Sequence, residues 1–132
     1  MPQIEVRFPG GKKTETLING FSVLSDQPES GGGEGTAPSP FDMFLVSIAS
    51  CAGYYALEFC KGRSIPVDEL SVNCTTEYDP ERRLIKQINI NVITPPEFPE
   101  KYKDAILKAV DQCAVKRHLV NPPEIAVRAE LR

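Results

Sequence analysis

Histidine is nearly absent from this 132-residue sequence, and none of its four cysteines forms a Cys-x-x-Cys pair. Structural zinc sites use four cysteine or histidine ligands, usually in such closely spaced pairs. We therefore expect no metal site. Dense positive charge is also missing, since Lys12-Lys13 and Arg82-Arg83 are isolated doublets and the formal net charge is -3. Nucleic-acid-binding domains present basic patches, so nucleic acid is not an expected partner.

Long apolar runs are missing as well. The sequence has no stretch of about 18 apolar residues, the length that a membrane-spanning helix requires. Residues 1–5 lack the basic segment and apolar run of a signal peptide. We expect a cytoplasmic protein without membrane contact, whose cysteines are reduced, catalytic or simply buried rather than joined in structural disulfides.

The composition that remains is typical of one globular domain covering residues 1–132. Hydrophobic residues make up 41% and charged residues 25% of the chain, the balance of a soluble protein. A monomer of this size buries only a moderate fraction of its surface, so dimerisation would add to the core.

The N-terminal residues predict an antiparallel β-meander. Apolar and polar residues alternate over residues 4–8, and strands over 13–18 and 21–24 flank Asn19-Gly20, which is a strong hairpin signal. The Gly-, Pro- and Ser-rich segment 27–40 that follows is typical of a mobile loop.

Residues 39–61 predict a long helix. Ser39 stands at the N-cap position and Asp42 three residues later, as in a capping box. Apolar residues occur on every face, and no charge lies between Asp42 and Glu58, which is the pattern of a buried helix. Gly62 is expected to end the helix because glycine tolerates the left-handed conformation.

The remaining sequence predicts two strands, an amphipathic helix, a short helix and a final strand, which together with the meander give an α+β fold with antiparallel sheets. Their expected ranges are 70–78, 84–94, 98–113, 113–119 and 125–131.

The four cysteines differ in their setting. Cys51, in the apolar helix, either packs as a small hydrophobic residue or reacts, if a positive charge or a helix N-terminus lowers its pKa. Cys60 lies nine positions further on, about 13 Å along the helix and on the opposite side, too far for a disulfide. Cys74 is expected to pack in a strand. Cys113 ends a helix before a break, which suits a mobile resolving thiol.

Two separated motifs resemble the OsmC/Ohr family. Residues 31–51, Gly-Gly-Gly-Glu-Gly-Thr-Ala-Pro-Ser-Pro-Phe-Asp-Met-Phe-Leu-Val-Ser-Ile-Ala-Ser-Cys, resemble its Gly-rich loop and the helix that ends in Ser/Ala-Cys. Cys113-Ala114-Val115-Lys116-Arg117 resembles its second Cys-Pro-Val/Tyr motif, and Asn121-Pro122-Pro123-Glu124-Ile125 follows. The order of elements fits too, so the resemblance covers nearly the whole chain.

The resemblance implies an OsmC-like fold, with antiparallel sheets around a long buried central helix, in an intertwined homodimer. It also implies a thiol peroxidase of oxidative-stress defence that acts on organic hydroperoxides. In such enzymes the peroxidatic cysteine, here Cys51, becomes a sulfenic acid, and the resolving cysteine, here Cys113, condenses with it to a disulfide. An external dithiol, lipoyl-type in Ohr members, reduces the disulfide, and no bound cofactor is expected.

Three positions depart from the family pattern. Lys12 stands where family members have an arginine that stabilises the thiolate, and it supplies charge without a planar fork. Phe41 stands where Ohr members have the glutamate that orients this arginine, so Asp42 is either the orienting carboxylate or only a capping residue. Ala114 replaces a proline. These differences place the chain nearer the OsmC-like branch.

Tyr54 and Tyr55 share the helix face of Cys51, and with Phe41 they are candidates to line a substrate pocket or to pack in the core. His118, beside Lys116 and Arg117, is expected on a solvated helix face. The alternative to a peroxidase is a non-catalytic dimer that binds a small apolar ligand. A structural or sensor dimer whose cysteines merely pack is a third hypothesis.

Overall fold

The computed structural model describes residues 3–132. The chain forms two compact units, Met1–Val46 and Ser47–Arg132; a single domain over the whole chain stays a prediction. The helices and strands are β1 (Glu5–Arg7), β2 (Thr14–Ile18), β3 (Phe21–Ser25), α1 (Pro40–Lys61), β4 (Ser71–Asp79), β5 (Leu84–Ile93), α2 (Lys103–Asp111) and α3 (Ala114–Val120).

The first unit contains a three-stranded antiparallel sheet in the order β1-β2-β3. Ile18 pairs with Phe21 across the turn between β2 and β3. Asn19 and Gly20 both have positive φ, 50° and 81°, as a two-residue hairpin turn matched to the strand twist requires. The predicted meander and its Asn-Gly turn are confirmed.

The loop that follows β3 is folded around a buried carboxylate. Asp26, only 1% exposed, accepts hydrogen bonds from the backbone N–H of Gln27 at 2.7 Å and from the N–H and hydroxyl of Thr36 at 3.1 and 2.7 Å. The Ser25 hydroxyl donates to the carbonyl of Pro38 at 2.9 Å. Both ends of the loop are held by these hydrogen bonds, while the mobility expected from its composition stays a prediction.

The capping box at the start of α1 is confirmed. The N–H of Asp42 donates to the Ser39 hydroxyl at 3.1 Å, and the Asp42 carboxylate accepts from the N–H of Ser39 at 3.0 Å. The helix stops immediately before Gly62, as predicted. The residue that adopts the left-handed conformation after the helix is not Gly62 but Ser64, with φ of 55°.

In the second unit, α1 and α2 pack with the antiparallel β4–β5 hairpin around one core. The buried core residues are Ala52, Ala56, Phe59 and Cys60 of α1 with Ile106 and Val110 of α2, and Val72, Ile90 and Val92 of the hairpin pack against them. Helices beside antiparallel strands confirm the predicted α+β class.

The apolar character of α1 extends beyond its buried side. Five residues are buried along it, while Val46 and Tyr54 are 58% and 55% exposed. By length and composition alone α1 could cross a membrane, a test that core helices of soluble proteins also pass. The buried residues of α1 belong to the core of the second unit, so the helix is explained as a core element.

The final strand predicted over residues 125–131 is absent. Ile125, Val127 and Leu131 are 83%, 92% and 93% exposed, and the segment pairs with no strand of the chain within residues 3–132. Alternating apolar residues form a strand only where a neighbouring edge accepts their backbone hydrogen bonds. No edge strand of the described residues pairs with this segment.

The helix predicted over 98–113 is shorter than expected. A single 3-10 turn, Glu100–Tyr102, leads into α2, which ends at Asp111. Cys113 therefore lies outside α2, at the N-cap position of α3. This position places the Cys113 side chain in the candidate active site.

Candidate active site

The structure brings Cys51 and Cys113 together within the second unit. Cys51 lies in the middle of α1, and Cys113 lies in the short connection between α2 and α3. Both are free thiols, and each affects the pKa of the other, which places the two side chains within interaction range. Two cysteines far apart in the sequence thus form one thiol pair.

The two thiols differ in exposure. Cys113 is 1% exposed, whereas Cys51 is half-buried. A dissolved small molecule can therefore reach the sulfur of Cys51 more easily than that of Cys113. The more accessible member of the pair is also the one whose pKa its surroundings lower.

Four groups stabilise the thiolate of Cys51. Burial raises the pKa of Cys51, but hydrogen bonds from the Cys113 thiol and from the backbone N–H groups of Val115 and Ala114 lower it, and the positive charge of Arg117 lowers it further. The net effect is a pKa below that of an ordinary cysteine. Since the thiolate is the reactive form of cysteine, Cys51 is set up as the nucleophile.

The pKa of Cys113 is shifted in the opposite direction. Burial raises the pKa of Cys113, and its interaction with Cys51 raises it further, although backbone N–H groups of Lys116 and Val115 act in the other direction. The pair therefore loses its first proton at Cys51 and keeps its second at Cys113. This arrangement provides a nucleophile with a neutral thiol beside it.

The second unit contains a cavity of about 530 Å³, and neither Cys51 nor Cys113 is among its lining residues. Ile48 on its wall lies one helical turn before Cys51, and Val110 lies one turn before Cys113. Its other lining residues are Ile88, Ile90, Val92, Leu107, Leu119 and the charged Lys108, Asp111 and Lys116. The cavity is mostly apolar, and Lys116 forms an ion pair with Asp111 at its polar side.

Lys12 and Asp42 both lie in the first unit. A Cβ atom added at Gly32 would lie 3.4 Å from Cε of Lys12. The Lys12 side chain therefore lies over the Gly-rich loop. The Asp42 carboxylate is engaged in the helix cap. Its capping function is confirmed, while the roles of Lys12 as thiolate-stabilising cation and of Asp42 as orienting carboxylate stay predictions.

The aromatic residues predicted to line a pocket are not among those that line this cavity. Phe41 packs against Phe44 with ring centroids 5.4 Å apart. The rings of Tyr54 and Tyr55 meet edge to face at 5.5 Å. A pocket role for Phe41, Tyr54 and Tyr55 stays a prediction.

The other two cysteines have structural settings. Cys60 is fully buried in the core, and burial raises its pKa. Cys74 lies in β4 opposite Ile90 and is partly buried. Both are free, in keeping with the helical argument against a Cys51–Cys60 disulfide.

Sequence reasoning missed the groups around Cys51 that come from α3. These groups belong to Ala114, Val115 and Arg117. They affect Cys51 because Cys113 is the N-cap residue of α3, and the spacing of residues in the sequence does not reveal this proximity to Cys51. His118 does lie on the exposed face expected for it, with its Nδ1 2.6 Å from the carbonyl oxygen of Ala114.

Comparison with known proteins identifies the family. The family model for OsmC-like proteins matches residues 32–128. The chain belongs to the OsmC-like family. No curated protein matches the sequence significantly.

Solved structures with the same fold include three relatives of this OsmC-like chain. An osmotic stress induced and detoxification response protein from Psychrobacter arcticus has a TM-score of 0.75 at 20% identity, over 89% of this chain and 87% of that one. An OsmC-like protein from Mycoplasma pneumoniae has a TM-score of 0.71 at 17% identity, over 92% of this chain and 89% of that one. The organic hydroperoxide resistance protein OhrB of Bacillus subtilis has a TM-score of 0.56 at 15% identity, over 92% of each chain. Identities this low show a shared fold alone.

Proposed function

We propose that this OsmC-like protein is a thiol peroxidase that reduces organic hydroperoxides in defence against oxidative stress. The observation that carries the proposal is the interaction of two free thiols, of which Cys51 is half-buried with a lowered pKa while Cys113 is buried with a raised pKa. The fold shared with the organic hydroperoxide resistance protein of Bacillus subtilis supports it.

In the first step the Cys51 thiolate attacks the terminal oxygen of the hydroperoxide. A sulfur–oxygen bond forms and the O–O bond breaks, which leaves Cys51 as a sulfenic acid. The alkoxide that departs takes a proton and leaves as the alcohol. Sulfur is oxidised by two electrons, and the peroxide is reduced by two.

In the second step the Cys113 sulfur attacks the sulfur of the Cys51 sulfenic acid. A disulfide forms, the sulfur–oxygen bond breaks, and hydroxide leaves with the thiol proton as water. The interaction between the two thiols favours this condensation over further oxidation of Cys51 by peroxide, because the second sulfur is already near the first.

An external dithiol then restores both thiols and is itself oxidised to a disulfide. We propose a lipoyl-type dithiol as reductant and the cytoplasm as the compartment, since reducing thiol pools keep cysteines free there. The protein itself needs no bound cofactor for this cycle.

We propose that the cavity of the second unit, whose wall includes Ile48 one helical turn before Cys51, holds the apolar part of the hydroperoxide. Its walls carry isoleucine, valine and leucine side chains from α1, β5, α2 and α3, which favour an alkyl group over water. The same cavity favours the alternative function, a non-catalytic protein that binds a small apolar ligand. A turnover experiment distinguishes a ligand-binding protein from a catalyst.

A homodimer is part of the proposal. The C-terminal segment leaves Ile125, Val127 and Leu131 almost fully exposed in an extended chain without a partner strand in residues 3–132. Exposed alternating apolar residues are suited to strand pairing with a second copy. A groove in the second unit, lined by Ala49, Ser50, Gly53, Leu57, Val67, Leu70, Ser71 and Val72, offers a further apolar surface.

The dimer is tested by light scattering after size exclusion. Wild-type protein is expected at twice the chain mass of 14.6 kDa, and Val127→Asp is expected to shift it toward the monomer, because a charge cannot be buried unpaired at a strand interface. Lys101→Asp, a charge change on the exposed 3-10 turn, is the control. A wild-type monomer at micromolar concentration would exclude the homodimer.

Turnover tests the peroxidase itself. Wild-type protein is expected to consume an alkyl hydroperoxide catalytically with dihydrolipoamide. Cys51→Ser is expected to lose at least about a thousandfold in rate, because removing a nucleophile removes the reaction path. Cys74→Ser, which changes a cysteine of β4, is expected to keep wild-type turnover. Equal rates for wild type and Cys51→Ser would exclude the mechanism.

A further inference from the structure

The 530 Å³ cavity of the second unit has an apolar side and a charged side. Helices α2 and α3 contribute all three of its charged lining residues, Lys108, Asp111 and Lys116. Lys108 and Asp111 are three positions apart and are neighbours on the surface of α2, and Asp111 pairs with Lys116, so the three charges form one group where α2 and α3 meet. Helix α1 and strand β5 contribute only aliphatic side chains, those of Ile48, Ile88, Ile90 and Val92.

The charged side of the cavity carries one net positive charge. The Asp111 carboxylate is already paired with Lys116, whereas the ammonium of Lys108 has no ion-pair partner within residues 3–132. A lysine beside an apolar surface keeps its head group in water, where it is available to a negative group on a bound molecule. Two lysines against one carboxylate attract an anion and repel a cation.

We infer that this cavity binds an amphiphile with one anionic head group, such as an alkyl carboxylate, whose chain lies against the aliphatic walls and whose head group pairs with Lys108. A volume of about 530 Å³ lies within the range of about 300–1,000 Å³ that small-molecule sites occupy. The inference rests on the proposed function only in its use of this cavity as the ligand site, and it gives that ligand a charge.

A neighbouring cavity of the second unit does not offer the same selection by charge. It has a volume of about 420 Å³ and shares Ile90, Val92 and Leu107 with the first cavity. Its charged lining residues are one acid, Glu100, and one base, Lys103, which together carry no net charge. An anionic head group is therefore expected at Lys108 and not at Lys103.

Isothermal titration calorimetry with octanoate tests the inference. Binding is expected to tighten about two- to fourfold for each methylene added to the chain. 1-Octanol is expected to bind more weakly than octanoate, and octyltrimethylammonium more weakly still. Lys108→Gln is expected to weaken octanoate binding about threefold and Lys108→Glu about tenfold or more, while 1-octanol binding stays nearly unchanged in both variants.

Lys103→Gln is the matched control, since it removes an exposed lysine of the same helix that lines only the neighbouring cavity. This variant is expected to bind octanoate as the wild type does, and circular dichroism confirms that each variant is folded. Equal affinities of wild type and Lys108→Glu for octanoate would overturn the inference. A loss of affinity in Lys103→Gln in place of the Lys108 variants would overturn it too.

Octanoate contains no peroxide, so its binding is measured independently of the peroxidase reaction. Cys51→Ser is expected to bind octanoate like the wild type, because neither Cys51 nor Cys113 lines the cavity. Binding that depends on Lys108 in a protein without turnover would exclude the peroxidase and leave the anion site intact. Turnover in a protein whose octanoate binding ignores Lys108 would do the reverse.

Discussion

Cys113→Ser is expected to stop the peroxidase after its first step. The Cys51 thiolate still attacks the hydroperoxide, since Ala114, Val115 and Arg117 still stabilise it. The sulfenic acid that forms then has no thiol beside it and cannot condense to a disulfide. One equivalent of hydroperoxide per chain is expected to react rapidly, and the steady rate with a dithiol is expected to fall about tenfold or more.

Rapid mixing with a limiting dithiol resolves the two phases, and dimedone labelling of Cys51 identifies the trapped sulfenic acid. Cys74→Ser is again the control variant. Cys60→Ala would be a poor control because Cys60 is in the core. Full steady turnover in Cys113→Ser would show that the reductant attacks the sulfenic acid directly and that Cys113 is not the resolving thiol.

Asp26→Ala is expected to destabilise the first unit and to loosen the Gly-rich loop. The substitution removes the acceptor of three hydrogen bonds and leaves the N–H groups of Gln27 and Thr36 without their partner, a cost that buried donors do not recover. The melting temperature is expected to fall by several degrees. Asp26→Asn keeps one acceptor oxygen and is expected to lose less.

Glu29→Ala, at an exposed position of the same loop, is the control and is expected to change the melting temperature little. Hydrogen exchange of residues 27–36 gives an independent measurement of loop order. A melting temperature for Asp26→Ala equal to that of Glu29→Ala would contradict the role of this carboxylate in the loop.

The same carboxylate makes stability depend on pH. Hydrogen bonds from the Thr36 hydroxyl and N–H lower the pKa of Asp26 from 3.8 to about 2. Because the folded value is below the unfolded one, the contribution of Asp26 is complete above the unfolded pKa and is lost as the pH falls toward the folded pKa. Acid titration of the wild type should show a loss in this window that Asp26→Ala lacks.

Local signals in the sequence predicted the local structure. Asn19-Gly20 fixed the β2–β3 turn because two residues with positive φ are required there. Ser39 and Asp42 predicted the start of α1 because their reciprocal hydrogen bonds involve only neighbours in the chain. The interaction of Cys51 with Cys113 is predicted by the motif resemblance and not by the spacing of the cysteines.

Features that depend on distant contacts could not be predicted. The role of Asp26 depends on Thr36, ten residues away across an irregular loop. The effect of Arg117 on Cys51 depends on how α3 packs against α1. The final strand is missing for a related reason, since residues 125–131 are apolar and alternating, but no strand within residues 3–132 pairs with them.

The pairing of the two sulfurs is tested most directly by peptide mapping without reductant. Protein treated with one equivalent of an alkyl hydroperoxide should yield a single new cross-linked species that joins the peptides of Cys51 and Cys113, with Cys60 and Cys74 still reduced. A protein that consumes the peroxide yet shows both sulfurs unlinked, or linked to other cysteines, would contradict the account.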